Sequence, residues 1–191
     1  LTRFRLRSRA SIRPADDLLV YAAWDDRPGD DGIVARDPRL PEAGWRVLTA
    51  SRLAETASYT EWDSHRLQLG LPDGSRDLEP EKTVLLEAGF DELNGVSWSK
   101  GCYMGQELTA RTKYRGLVKR RLVPVEVKGA LPDPGTPVLH EEREVGAMRS
   151  GCGQNGLATL RLDVLSATLS CGGSILVPKI PAWMRQPEAA R

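Results

Sequence analysis

The chain has 191 residues, of which 40% are hydrophobic and 28% are charged, and its formal net charge is +1. That length suits one large or two small domains, and that balance is ordinary for a globular protein. No run of about 18 apolar residues is present to span a membrane, and no basic-then-apolar leader opens the chain. Three cysteines without a C-x-x-C pair argue against a disulfide framework and a self-contained metal cage, and they favour a reducing compartment.

The first part of the chain predicts strands. Residues 1–7 are expected to end an element that began upstream, so we expect the N-terminal segment of the fold to be missing. An apolar run at 18–24, bounded by pairs of Asp, predicts a buried strand. Shorter strands are predicted at 32–35 and 45–48, separated by loops rich in Asp, Pro and Gly.

Helices are predicted next. A helical pattern covers residues 51–69, and a Gly-Leu-Pro sequence ends it. Three glycines make 94–105 loop-like. Residues 107–113 contain good helix formers, with Glu107 in the first turn, where a carboxylate stabilises the helix dipole, and Gly116 ends this second helix.

After residue 117 the pattern changes to short apolar stretches separated by Gly, Pro, Asn and Ser. Strands are predicted at 117–127, 137–140, 144–149, 157–162 and 174–180. Short strands with frequent turn signals are typical of a small barrel or sandwich. We therefore predict an α+β fold with two domains, residues 1–116 and 117–191.

Basic residues are concentrated near the predicted boundary. Between Lys100 and Arg121 there are seven cations and one anion, Glu107, so this segment carries a net charge of +6. Such a segment attracts phosphate, a polyglutamate tail, RNA or an acidic partner. A solvated face without a ligand is the alternative that charge alone leaves open.

The segment 100–107 places a cysteine between two glycines shortly before the second helix. A Cys102 thiol near a helix N-terminus and the amine of Lys100 is a candidate nucleophile and soft-metal ligand. Gly101 and Gly105 permit unusual backbone conformations and close approach by a ligand. For an arbitrary cysteine, a small buried hydrophobe is the competing interpretation.

One stretch resembles a known family signature. It is Lys100-Gly101-Cys102-Tyr103-Met104-Gly105-Gln106-Glu107, which matches all seven fixed positions of K-G-C-Y-x-G-Q-E. By this match the chain resembles the YgfZ-type family, which is related to the T protein of the glycine cleavage system. Residues 85–89 are similar to the L-E-A-G element of that superfamily, and residues 145–152 to its G-x-x-T-S-G hairpin, with Met148 and Arg149 where T-S residues are usual.

The resemblance implies a T-protein-like α/β domain lacking its N-terminal segment, followed by a small C-terminal β-barrel. It implies a cavity for tetrahydrofolate in which the L-E-A-G glutamate, Glu87, accepts hydrogen bonds from the pterin ring, as a carboxylate can. A local cap or salt bridge is the alternative for Glu87. Further residues implied at the cofactor site are Gly101, Tyr103, Gly105, Gln106 and Glu107, of which the last two also suit a structural role.

Family members are linked to iron–sulfur cluster assembly or repair, and Cys102 is the implied reactive residue. Its implied roles are cluster ligation shared with a partner, thiol chemistry on a folate-derived one-carbon unit, and redox sensing. One cysteine cannot hold a [2Fe–2S] cluster, which takes four ligands. A cluster at Cys102 would therefore share its ligands with a partner such as an A-type iron–sulfur carrier protein.

Two other functions compete with this accessory role. The first is a tetrahydrofolate-dependent aminomethyltransferase, although T proteins lack the K-G-C-Y signature and use an acidic residue from the N-terminal segment. The second is RNA binding or regulation of tRNA modification, which only the basic segment supports, so RNA is not the expected partner. We expect a bacterial cytoplasmic protein, with the mitochondrial matrix as the alternative, and no membrane partner.

Overall fold

The computed structural model describes residues 8–185; the element predicted at residues 1–7 lies outside them. Three helices, α1 to α3, span Tyr59–Leu69, Gly74–Asp77 and Gln106–Tyr114. Nine strands, β1 to β9, span Leu19–Ala23, Ile33–Arg36, Trp45–Thr49, Arg120–Lys128, Pro137–His140, Arg143–Cys152, Asn155–Arg161, Leu169–Cys171 and Ser174–Pro178. No helix among the described residues is long and apolar enough to cross a membrane.

The first three strands form an antiparallel sheet with the order β1-β3-β2. The central strand β3 pairs with β1 through Val47 opposite Tyr21, and Val47 is almost fully buried. The prediction of a buried strand at 18–24 was wrong about burial, because Leu19 and Val20 are 40% and 68% exposed. The reason is topological, since within residues 8–185 β1 pairs with another strand on one side only.

Helix α1 begins later than the helical pattern predicted, at Tyr59 instead of residue 51. Ser58 is the N-cap: its side chain accepts a hydrogen bond from the Glu61 backbone N–H, and the Glu61 carboxylate accepts one from the Ser58 backbone N–H at 2.7 Å. This reciprocal capping box satisfies two donors that a helix N-terminus leaves unpaired. Gly70 ends the helix in the left-handed conformation, with φ of 76°.

The later helix and loop were predicted correctly. Residues 94–105 contain no regular helix or strand, and α3 then begins at Gln106 with Glu107 in its first turn. The helix ends at Tyr114, and Gly116 follows with a positive φ of 60°.

The six C-terminal strands close into an antiparallel barrel with the order β4-β7-β6-β5-β8-β9, which confirms the predicted barrel. The sequence did not predict β8, a three-residue strand that pairs with β5 and β9. Buried apolar side chains fill the interior, including Val123, Val125, Val127, Val138, Met148, Leu160 and Leu176. The first barrel strand begins at Arg120; the domain boundary at 117 remains a prediction.

Helix α1 is joined to the barrel by apolar packing. Leu67 of α1 forms a buried cluster with Leu122 of β4 and Leu157 of β7. Burying side chains of this size stabilises the folded state by about 1.5–3 kcal/mol each. The helical region and the barrel therefore share part of their core.

A buried guanidinium strengthens the same junction. Arg66 of α1 is 2% exposed and donates hydrogen bonds to Asp63 at 2.6 Å, to Asp77 of α2 at 2.8 Å and to the Ser150 hydroxyl of β6 at 2.8 Å. Asp77 also accepts hydrogen bonds from the hydroxyl and the backbone N–H of Ser150. Because each charge is paired and hydrogen-bonded, the cost of burying it is offset.

We predict that Arg66→Met lowers the free energy of unfolding by about 3–5 kcal/mol, because it leaves buried carboxylates without their cation. The measurement is urea denaturation at neutral pH. Arg52→Met is the matched control: Arg52 is exposed, and its replacement should change stability by no more than about 0.5 kcal/mol. Equal losses in the two variants would contradict a stabilising role for the Arg66 network.

Candidate functional site

Cys102 lies in the irregular segment before α3, three residues ahead of the helix N-cap Gly105, and its side chain is exposed. Of the two flanking glycines, only Gly105 has a backbone conformation that requires glycine. Gly105 has φ of 86°, which side-chain-bearing residues rarely adopt. Gly101 has no positive φ, and a Cβ placed on it would meet nothing within 4 Å. Neither packing nor backbone conformation in the described chain therefore requires glycine at position 101.

The base of this loop is held by Asp91. Its carboxylate accepts a hydrogen bond from the Trp98 indole N–H and pairs with Lys113 of α3 at 3.0 Å. The Lys113 ammonium also lies 3.9 Å from the centre of the Trp98 ring. Burial raises the pKa of Asp91, but hydrogen bonds from Trp98 and Lys113 outweigh it, so the pKa lies below its ordinary value. Asp91 thus ties the start of the loop to the helix that follows it.

The tip of the loop is ordered by Tyr103. Its backbone N–H donates to the Gln106 side-chain carbonyl at 3.2 Å, and its carbonyl accepts from the Gln106 backbone N–H at 3.2 Å. The Lys100 ammonium lies 4.8 Å from the centre of the Tyr103 ring. The Tyr103 hydroxyl is buried and has no hydrogen-bond partner among the described residues. Glu107 forms an ion pair with Arg111 one helical turn later, at 2.5 Å.

Glu87 occupies a different place from the signature loop. It lines a cavity of about 240 Å³ between the 77–88 segment and the barrel, and none of the residues 100–107 lines that cavity. The backbone carbonyl of Glu87 accepts a hydrogen bond from Leu122 of β4 at 2.8 Å, whereas its carboxylate forms no hydrogen bond or ion pair within residues 8–185. The structure therefore does not bring Glu87 and Cys102 into one pocket.

Cations surround the cavity. Lys82, Arg120 and Arg149 line it together with Glu79. Glu79 pairs with Arg149 at 2.5 Å and with Lys82 at 3.2 Å, and these hydrogen bonds lower the pKa of the Glu79 carboxyl. Arg120 is free of ion pairs in the described range and also lines an adjacent cleft of about 500 Å³.

Sequence reasoning did not propose these cations as site residues. Arg149 carried the clearest signal, because it stands where the superfamily hairpin usually has a small hydroxyl residue. Ser150 and Gly151 follow Arg149, and the Ser150 hydroxyl donates a hydrogen bond to Asp77. Lys82 carried no local signal, and Arg120 was counted only as part of the basic segment, since only the folded chain places them beside Glu87.

The basic segment carries less unpaired charge than its sequence predicted, because acids outside it pair with some of its cations. Asp91 pairs with Lys113, and Glu92 pairs with Arg121 at 2.8 Å in a buried contact. Both acids lie outside the segment whose charge was counted. The cations without an ion pair in the part of this segment that the structure describes are Lys100, Arg115, Lys119 and Arg120.

The other two cysteines lie apart from the loop. Cys171 is buried in the barrel, and Cys152 is half-buried at the end of β6. Burial raises the pKa of the Cys171 thiol. Within residues 8–185, no group of three or more His, Cys, Asp or Glu side chains lies close enough to hold a metal ion.

The fold and site define an α+β protein with a closed six-stranded C-terminal barrel and a cysteine exposed on a glycine-flanked loop. Residues 119–186 match the family model described as the CAF17 C-terminal β-barrel domain. Among curated proteins, the human mitochondrial iron–sulfur cluster assembly factor IBA57 is 35% identical over 96% of this chain and 59% of its own length. The chain belongs to the YgfZ-type family, of which these assembly factors are members.

Other curated relatives with the same name match a similar share of the chain. The mouse IBA57 is 32% identical over 100% of this chain and 61% of its own length, and the homologue from Pyricularia oryzae is 29% identical over 100% and 66%. The chain thus spans about 60% of the length of the curated mammalian relatives it matches. A solved structure, the glycine cleavage aminomethyltransferase T of Bartonella henselae, matches with a TM-score of 0.48 and 17% identity over 65% of this chain and 38% of that one.

We predict that the three thiols react with a maleimide in the order of their accessibility. Cys102 should react first and Cys152 more slowly, while Cys171 should react only after unfolding, because it is buried and its raised pKa disfavours the thiolate. The measurement is time-resolved labelling at pH 7 with peptide mass spectrometry. Cys102→Ser should abolish the fast phase, and a fast phase that survived this substitution would contradict the assignment.

Proposed function

We propose that this chain is a folate-binding accessory protein in iron–sulfur cluster assembly or repair and that the Cys102 thiol acts towards a partner. The observation that carries the proposal is the exposure of Cys102 on the signature loop. The names of the relatives, which are iron–sulfur cluster assembly factors, support the same role.

The supply of ligands explains why a partner is needed. A [2Fe–2S] cluster takes four ligands, and the described chain offers one exposed thiol without a surrounding group of donors. A cluster at Cys102 would therefore be cargo that is held jointly with, or received from, an A-type carrier protein. A thiolate is a suitable soft ligand for such a cluster.

Gly101 supports an approach from outside the chain. A side chain at this position would fit the fold, because a Cβ added to Gly101 would meet no atom within 4 Å beyond its two chain neighbours. Its absence leaves the backbone beside Cys102 open to contact by another molecule. The glycine is therefore better explained by an incoming partner than by packing of the loop.

The cavity at Glu87 fits the pterin end of tetrahydrofolate. An unpaired carboxylate can accept two parallel hydrogen bonds from an aminopyrimidine edge. Arg120, which has no ion pair within residues 8–185 and also lines the adjacent cleft, is a cation for the carboxylates of the folate tail. Its volume of about 240 Å³ lies just below the usual range for small-molecule pockets. When bound, folate would supply a one-carbon carrier, while Glu87 orients its ring.

The names of the relatives support a proposal for the compartment. Their names place them in mitochondria, which favours the mitochondrial matrix over a bacterial cytoplasm for this chain. The accessory role requires no turnover by the chain itself. An aminomethyltransferase would instead transfer an aminomethyl group from a lipoyl carrier to tetrahydrofolate. An assay of that transfer separates the two roles.

We predict that Cys102→Ser keeps the fold and abolishes formation of a joint cluster with an A-type carrier. Anaerobic mixing of the chain with the cluster-loaded carrier should produce a visible absorbance change and a stable complex for the wild type only. Cys152→Ser is the matched control, since Cys152 is half-buried and lies outside the loop, and it should behave like the wild type. A complex that Cys102→Ser forms equally well would remove Cys102 from this role.

We predict that Glu87→Gln weakens tetrahydrofolate binding at least about tenfold, because a charge-assisted hydrogen bond contributes roughly 1.5–3 kcal/mol. The measurement is isothermal titration calorimetry under anaerobic conditions. Glu81→Gln is the control: Glu81 is exposed and does not line the cavity. Unchanged affinity in Glu87→Gln would place the folate elsewhere.

A further inference from the structure

A second concave space, the Arg161 cleft, lies beside the cavity at Glu87. It has a volume of about 500 Å³. Its lining residues are Lys119, Arg120, Arg161, Leu162 and Asp163. Arg120 lines the cavity at Glu87 as well, so the two spaces share a wall residue. The cleft is formed at the ends of strands β4 and β7, and its shape therefore depends on the barrel.

The register of β4 and β7 places the two spaces on one face of the barrel. Leu122 of β4 lies opposite Thr159 of β7, and both line the cavity at Glu87. Two residues further along, Arg120 lies opposite Arg161. Residues two apart in a strand point to the same face and are about 6.5–7 Å apart. Leu122 packs against α1, so this face is the outside of the barrel, and the cleft continues the cavity along it.

Positive charge predominates in the cleft. Arg120 and Arg161 lie directly opposite each other, where like charges repel. Asp163 accepts two hydrogen bonds from the Arg161 guanidinium, at 3.0 and 2.6 Å. Lys119 and Arg120 form no ion pair within residues 8–185. Three cations and one carboxylate give the cleft a net charge of +2, which favours an anionic occupant.

Backbone hydrogen bonds fix the walls of the cleft. Beyond the last paired residues of the two strands, the Leu162 N–H donates to the Lys119 carbonyl at 3.2 Å. A short 3-10 helix over Leu162–Val164 follows β7 and carries Asp163, which holds the Arg161 guanidinium in place. A ligand therefore meets walls that are already ordered, which lowers the entropy lost on binding.

The shared wall residue indicates which anion the cleft suits. This step rests on the proposed function, in which the cavity at Glu87 holds the pterin ring and Arg120 meets the first glutamate of the folate tail. Each further γ-linked glutamate adds one carboxylate to that tail. A tail that passes Arg120 on the outer face of the barrel enters the Arg161 cleft. Two sites that are occupied by one molecule reinforce each other, because the second contact is intramolecular.

We propose that the Arg161 cleft binds the poly-γ-glutamate tail of tetrahydrofolate, so that this chain prefers polyglutamylated folate to the monoglutamate. The glutamates that follow the first one pair with Arg161 and Lys119. A guanidinium can bind a carboxylate through two parallel hydrogen bonds. Asp163 occupies the Arg161 guanidinium in this way, so it competes with the tail and limits the preference.

The test compares tetrahydrofolate carrying one glutamate with tetrahydrofolate carrying three, by isothermal titration calorimetry under anaerobic conditions. We expect the wild type to bind the triglutamate at least about tenfold more tightly. Arg161→Gln should reduce this ratio to below about threefold, because the triglutamate complex loses a charged partner. Asp163→Asn should strengthen triglutamate binding at least about threefold, because it frees the Arg161 guanidinium.

Two further variants separate the cleft from other causes. Arg115→Gln is the matched control: Arg115 is an exposed arginine that lines neither space, and its loss should leave the ratio within about twofold of the wild type. Glu87→Gln should weaken both folates by the same factor, because it acts on the ring that they share. Circular dichroism of each variant distinguishes lost binding from lost fold.

Three outcomes would overturn the proposal. Equal affinity of the wild type for the two folates would remove the tail site and leave the folate site at Glu87 intact. Equal loss of the preference in Arg161→Gln and Arg115→Gln would assign it to general charge attraction instead of the cleft. Failure of the wild type to bind either folate would reject the folate site itself, and the tail site with it.

Discussion

The buried guanidinium of Arg66 joins the helical region of this protein to the barrel. It connects α1, α2 and the barrel strand β6 through Asp63, Asp77 and Ser150. Burial raises the pKa of the Asp63 carboxyl, but hydrogen bonds from Arg76 and Arg66 outweigh it, so the pKa lies below its ordinary value. The Asp63 carboxylate therefore stays charged beside Arg66 through the neutral pH range. The hydrogen bonds of Arg66 to Asp77 and Ser150 join the helical region to the barrel.

This junction creates the cavity at Glu87. The 77–88 segment begins at Asp77, whose carboxylate is bound by Arg66, and it is joined to β4 by the hydrogen bond between Leu122 N–H and the Glu87 carbonyl. The signature loop is organised differently, since Asp91 holds its base and its tip projects outward with Cys102 exposed. The Glu87 carboxylate and the Cys102 thiol therefore lie at two separate places in the fold.

Local sequence was most informative where short-range chemistry decides conformation. The barrel strands and helix α3 were predicted because turn residues and glycines interrupt the apolar pattern at each end. The start of α1 was predicted too early, because an apolar–polar pattern continues upstream of Ser58, whereas the reciprocal bonds of Ser58 and Glu61 set the first turn. Strand β8 is three residues long and owes its conformation to its two neighbours, so no local pattern revealed it.

The motif at residues 100–107 was sufficient to identify the family and its candidate thiol, because it is contiguous and its chemistry is local. In contrast, only the folded chain determines which strands are buried and which distant side chains lie close together. The sequence predicts a buried strand at β1, yet among residues 8–185 this strand lies at a sheet edge. Lys82, Arg120 and Arg149 surround Glu87 only after the 77–88 segment packs on the barrel. The physical reason is that apolar periodicity and turn residues act over a few positions, whereas the pairing of distant strands and the matching of buried charges depend on contacts between remote parts of the chain.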